Sequence, residues 1–130
     1  MKQNPFFVER EFKCKCGECE GLPDKMPPDE LIDILCKIRA HFDMPLMIRS
    51  GYRCKAHNAR VGGAKASRHL VGDAVDFVVI GIETKEVYAY CENLPNADKL
   101  GLAIKHNPQN KYAGFVHLDT RGKKARWIYK

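Results

Sequence analysis

At 130 residues, with 45% hydrophobic and 29% charged side chains, the chain has the size of one folding domain and an ordinary globular composition, which excludes disordered and fibrous classes. No apolar run approaches the ~20 residues of a membrane span, so membrane insertion is not expected. The net charge of +6 favours approach to any polyanion without choosing among nucleic acid, anionic membrane and cell wall.

A single domain over residues 1–130 is expected, opening with a cysteine-bearing segment, 1–26. The start "MKQNPFFVEREFK" lacks the apolar centre of a signal peptide, so synthesis in the cytoplasm is expected. In "CKCGEC", Cys14, Cys16 and Cys19 form a C-x-x-C with an inner glycine that can wrap a metal, and Cys54 or His57 could complete four ligands. Reduced thiols are the default in cytosol, and a disulfide is the third alternative if the protein reaches an oxidising place.

A helix is expected from about Pro28 to Asp43. Pro28 suits a first turn, Asp29 and Glu30 suit the positive end of the dipole, and Leu31, Leu35, Ile38 and Phe42 recur at helical spacing until Pro45. Cys36 here, like Cys91 later, reads as a small buried hydrophobe. "LMIRSGYR" reads as a short strand running into a glycine turn, and "CKAHNARVGGAKAS" as more loop than element, with room for one helical turn. A buried strand follows from Asp73 to Ile80. "ETKEVYAYCENL" suggests a second helix, capped at Thr84, with Val87, Tyr88 and Cys91 on one face. "KLGLAIK", "AGFVHLDT" and "ARWIYK" then look like three strands. The expected class is α+β, with a mostly antiparallel sheet.

The buried strand carries Asp76 inside the apolar run from Ala74 to Ile80. An ionised carboxylate there requires a cation, donors or a metal. In "GFVHLDT" the period of two puts Phe115, His117 and Asp119 on one face. Should this strand lie near that of Asp76, then His69, Asp76 and His117 could converge as two imidazoles and one carboxylate, a known catalytic zinc set with a fourth position for water. By spacing alone, a hydrogen-bonded histidine remains the commoner outcome.

"SRHLVGDAVD" resembles the S-x-H-x-x-G-x-A-x-D motif of the zinc D-alanyl-D-alanine carboxypeptidases and phage L-alanyl-D-glutamate endopeptidases, the group that includes the hedgehog signalling domain. "SGYR" upstream and "GFVHLDT…RW" downstream agree in order and separation from about Phe12 to Trp127. The resemblance implies that His69, Asp76 and His117 hold one catalytic zinc, and that Gly72 allows a tight turn between the first two. It implies that Arg53 polarises the scissile carbonyl and that Ser67 hydrogen-bonds substrate near the metal, whereas Tyr52 reads as packing. The substrate implied is the stem peptide of bacterial peptidoglycan, cut by a monomeric, endolysin-like enzyme acting at the cell wall if released.

One departure matters. Many members place a glutamate three residues before the last ligand as the proton-accepting base, and here that position is Gly114. Some relatives carry a second histidine two before the ligand, where this chain has Phe115. Asp119 is the leading substitute base, with an orienting role toward His117 as the equal alternative. His106 is a weaker candidate. The missing glutamate also keeps open a catalytically silent zinc-binding module of the same fold. A nucleic-acid partner is not expected, because the lysines and arginines are scattered with no aromatic platform among them.

Overall fold

A computed structural model describes residues 4–17, 19 and 27–129. After a 3-10 turn at Glu9–Phe12, the elements are α1 (Asp29–Phe42), β1 (Leu46–Ser50), α2 (Lys55–Arg60), α3 (Arg68–Val71), β2 (Ala74–Val79), α4 (Thr84–Glu92), a 3-10 turn at Ala97–Lys99, β3 (Gly101–Lys105), β4 (Phe115–Asp119) and β5 (Ala125–Tyr129). They form one five-stranded sheet in the order β1-β2-β4-β3-β5, antiparallel except for the β3–β5 pair. The class is α+β, as the pattern of elements predicts.

The apolar stripe of α1 explains why that helix forms and where it sits. Leu31, Ile32, Leu35 and Ile38 are fully buried, each worth about 1.5–3 kcal/mol against exposure. They share the core with Val75, Phe77 and Val79 of β2, Leu102 of β3, Val116 and Leu118 of β4, and Val87 and Cys91 of α4. α1 closes at Asp43, whose left-handed backbone (φ 52°) an aspartate tolerates, before Pro45 forbids continuation.

Because strand side chains alternate, the residues between these core positions point to the opposite face of the sheet. That face carries Asp76, His117 and Asp119, all buried. The alternation read in "GFVHLDT" therefore holds.

Three local expectations are corrected. Thr84 is the first residue of α4 and not its cap; Glu83 holds the cap position, and the Thr84 hydroxyl donates to the Ala113 carbonyl at 2.5 Å. The passage 55–60 is a six-residue helix. His69 stands on the short helix α3, because the Ser67 hydroxyl accepts from the His69 N–H at 3.2 Å and starts a turn that Gly72 (φ 90°) ends. β5 runs parallel to β3 because both edges of β4 are already taken, so the chain reverses after β4 and pairs on the far side of β3.

Gly114 accounts for the missing glutamate. Its φ is +84°, and a Cβ placed there would meet the Lys105 carbonyl oxygen. Gly114→Glu is therefore expected to destabilise the protein by roughly 1–3 kcal/mol, read from its urea unfolding midpoint, and to restore no base.

Candidate metal centre

Cross-strand register assembles the site. Ser50 of β1, Asp76 of β2, His117 of β4, Ala103 of β3 and Trp127 of β5 are successive neighbours across the sheet. Asp76 and His117 stand directly opposite each other, which brings residues 41 apart in sequence within contact. α3 then sets His69 beside them.

His69 Nε2 lies 3.2 Å from Asp76 Oδ1, and His117 Nδ1 lies 3.0 Å from the same oxygen. The far side of each ring is also committed. His69 Nδ1 donates to the Gly51 carbonyl at 2.6 Å, and His117 Nε2 donates to Asp119 Oδ2 at 2.7 Å. A neutral imidazole has one N–H and one lone pair. With both protons directed outward, the two remaining nitrogens aim lone pairs at a carboxylate oxygen. Only positive charge reconciles that arrangement: a second proton on each ring, or one divalent cation between the three groups. Tetrahedral zinc with bonds of about 2.0–2.1 Å sets its ligand atoms about 3.3 Å apart, so the two separations from Asp76 Oδ1 fit it closely. The donor set fits as well, two imidazoles and a carboxylate, each imidazole oriented by an acceptor behind it.

The electrostatics agree. Burial disfavours the Asp76 carboxylate, but hydrogen bonds to His117 and His69 overcome it and pull the group down to about 2. Burial also works against a charged His117, and the Asp119 and Asp76 carboxylates reverse this and raise it.

Of the two roles considered for Asp119, the geometry fits the orienting one. Asp119 is fully buried on the side of the His117 ring away from Asp76. Arg121 clamps it through Nε at 2.8 Å, Nη2 at 2.7 Å and its backbone N–H at 3.2 Å. Despite burial, Arg121 and His117 hold the carboxyl well below the usual carboxylate range, which makes it a poor proton acceptor. It does not line the cavity above the metal site. His106 is exposed and lines a separate hollow with Thr84 and Lys111, away from the centre.

The cavity measures about 520 Å³. The backbone of Gly62, Gly63 and Ala64 forms one wall, and Phe115, Trp127 and Tyr129 form another. Buried Asn58 braces the glycine wall, donating to the Ala64 carbonyl at 2.9 Å. Arg53, Arg68, Lys105 and Arg121 ring the space, and Asp76 is the sole carboxylate among the described lining residues. The Arg53 N–H donates to the His69 carbonyl at 3.0 Å, and its Nη2 reaches the Ser67 hydroxyl at 3.5 Å. Its Nε is buried with no hydrogen-bond partner among the described residues.

Arg68, Lys105, Arg121, Trp127 and Tyr129 also line the cavity, and no motif in the sequence gives them a role there. The signal available for Trp127 and Tyr129 was the alternation of "ARWIYK", which leaves Ile128 exposed on the opposite face. Arg68 is engaged with Asp73 through Nε at 3.1 Å and Nη2 at 2.5 Å. Tyr52 is half-buried beside the N-terminal cysteines, as packing requires. The Sγ atoms of Cys14, Cys16, Cys19 and Cys54 form a second group, all within 4.8 Å of one another.

No curated protein sequence matches the chain. The family profile described as Peptidase M15 matches residues 5–119, a span that takes in both imidazoles, Asp76, Arg53, Ser67 and all of β4. Its members are zinc-dependent peptidases, which is the chemistry the inward-facing lone pairs at Asp76 call for. A chain matched over that span and carrying that donor set belongs to the peptidase M15 family of zinc metallopeptidases.

Proposed function

We propose that the protein is a single peptidase domain that hydrolyses a bond in the stem peptide of bacterial peptidoglycan, with His69, Asp76 and His117 holding its zinc. The observation that carries this reading is the donor set of His69, Asp76 and His117 beside a cavity lined by Arg53 and Lys105, with Arg68 and Arg121 there paired to Asp73 and Asp119. Such a cavity suits a small peptide that carries carboxylates, as stem peptides do.

When bound, zinc supplies a Lewis acid and lowers the pKa of its water. The chain's own groups bind and orient the substrate. Arg53 is tethered through its backbone to His69, so its guanidinium is held beside the reacting carbonyl. Arg53 lines the cavity, so its guanidinium is a donor for a substrate oxygen, more strongly as that oxygen gains charge. Ser67 steadies the guanidinium and offers its hydroxyl to the peptide. The glycine wall admits the substrate backbone closely, and the aromatic wall excludes water from its other side. Burial raises Tyr129, so its phenol stays protonated and serves as a donor.

Incubating the zinc-loaded protein with purified peptidoglycan and reading the fragments by mass should reveal new amino and carboxyl ends that vanish with chelator and return with zinc. Arg53→Ala should lower turnover about 10²–10³-fold with zinc content unchanged. Full zinc retention without any new ends would establish instead a silent zinc-binding module, which the absence of a second carboxylate in the cavity would then explain.

A further inference from the structure

We propose that Cys14, Cys16, Cys19 and Cys54 form a second, structural zinc site that clamps the N-terminal segment to the loop carrying Arg53.

The four sulfurs come from two parts of the chain: three from the segment after the first 3-10 turn, and Cys54 from the cap position of α2. All four lie within 4.8 Å of one another. The Sγ atoms of Cys16 and Cys54 are 3.8 Å apart. A tetrahedron with Zn–S bonds of about 2.3 Å has edges of about 3.8 Å, whereas a disulfide would require about 2.05 Å. No disulfide joins any of the six cysteines. Of the two fourth ligands considered from sequence, Cys54 closes the group, and His57 lies outside it.

Backbone donors surround the sulfurs in the way metal thiolates require. The Cys54 N–H points at Cys14 Sγ at 3.4 Å, and the Cys19 N–H points at Cys16 Sγ at 3.3 Å. Such donors offset the charge of four thiolates around one divalent ion. Four soft sulfur ligands within 4.8 Å of one another select zinc or iron over calcium and magnesium, and a closed set with no open position is structural. On binding, the thiol protons pass to solvent.

The position of the site gives it a purpose. The run Gly51–Cys54 anchors the metal centre: Gly51 accepts from His69 Nδ1, and the Arg53 N–H donates to the His69 carbonyl. On the N-terminal side, the Tyr52 N–H donates to the Phe12 carbonyl at 2.9 Å, two residues before Cys14. A metal on Cys54 would fix the end of this run and so the approach of Arg53 to the cavity. That consequence rests on the proposed role of Arg53, whereas the site itself does not.

Elemental analysis of the intact protein, purified from zinc-supplemented growth, tests the site independently of activity. The expected result is two zinc equivalents per chain, falling to one in His117→Ala and to one in the Cys16→Ser, Cys19→Ser double variant. After cobalt substitution, His117→Ala should keep an intense thiolate-to-cobalt charge-transfer band, and this measurement needs no cysteine variant to fold. A single zinc in the parent protein that His117→Ala removes entirely would overturn the proposal. So would iron in place of the second zinc, or a disulfide among these cysteines by mass after alkylation without reduction. Loss of peptidase activity with two zincs retained would refute the peptidoglycan reading and leave this site standing.

Discussion

Asp76→Asn is expected to empty the centre between His69 and His117 and abolish peptidase turnover while the chain stays folded. Asparagine keeps the shape of Asp76 but removes the charge that the two inward lone pairs and a divalent cation share. His69→Ala and His117→Ala should have the same effect on that zinc, and full occupancy in any one of the three would refute its assignment as a ligand. The metal also inverts the pH dependence of stability. Without metal, His117 is raised above its ordinary value near 6.5. Its contribution is then fully present below that value and lost as pH rises through the raised pKa. Asp76, lowered to about 2, contributes above the ordinary carboxylate range near 4 and loses that contribution as pH falls toward 2. The metal-free protein should therefore be most stable in mild acid. Zinc must displace the His117 proton, so its affinity should fall about tenfold per pH unit below that pKa. The zinc equivalent that His117→Ala removes should bind more weakly at pH 6 than at pH 8 in competition with a chromophoric chelator; equal affinity would contradict the ligand role of His117.

Asp119→Asn is expected to weaken zinc binding about 10–100-fold without touching the metal. Asp119 meets His117 Nε2–H on one side and the Arg121 guanidinium on the other, and an ionised carboxylate accepts from both. An amide has one acceptor oxygen. If that oxygen faces Arg121, the amide NH2 confronts His117 Nε2, and the ring moves its proton to Nδ1, the atom that faces Asp76. The ligand lone pair is then gone. Competition with a chromophoric chelator reads this loss directly. A merely structural role would lower the melting temperature and leave zinc affinity intact, and that outcome would remove Asp119 from the positioning of His117.

Much of this was legible along the chain. The 3.6-residue spacing of Leu31, Leu35 and Ile38 is a local property of α1, as the period of two is of β4, and each fixes which residues share a face. The sharing of one face by His117 and Asp119 followed from that period alone, and the carboxylate of Asp76 in an apolar strand announced a partner before any was identified. Gly114 marked a departure whose cause, a left-handed backbone against the Lys105 carbonyl, was not visible. The cations around the cavity were equally hidden, since Arg68, Lys105 and Arg121 come from separate elements and nothing in their spacing relates them.

Local periodicity in the sequence was enough for α1 and α4, for the strand faces and for the three donors that converge, but not for the short helices α2 and α3. Only packing put Asp76 opposite His117 in register, joined β5 to β3 so that Trp127 and Tyr129 reach the cavity, and placed Asp119 between the His117 ring and the Arg121 guanidinium. Side-chain periodicity is set within a few residues of backbone. Which strand lies opposite, and at what offset, depends on how distant segments pack on a common core.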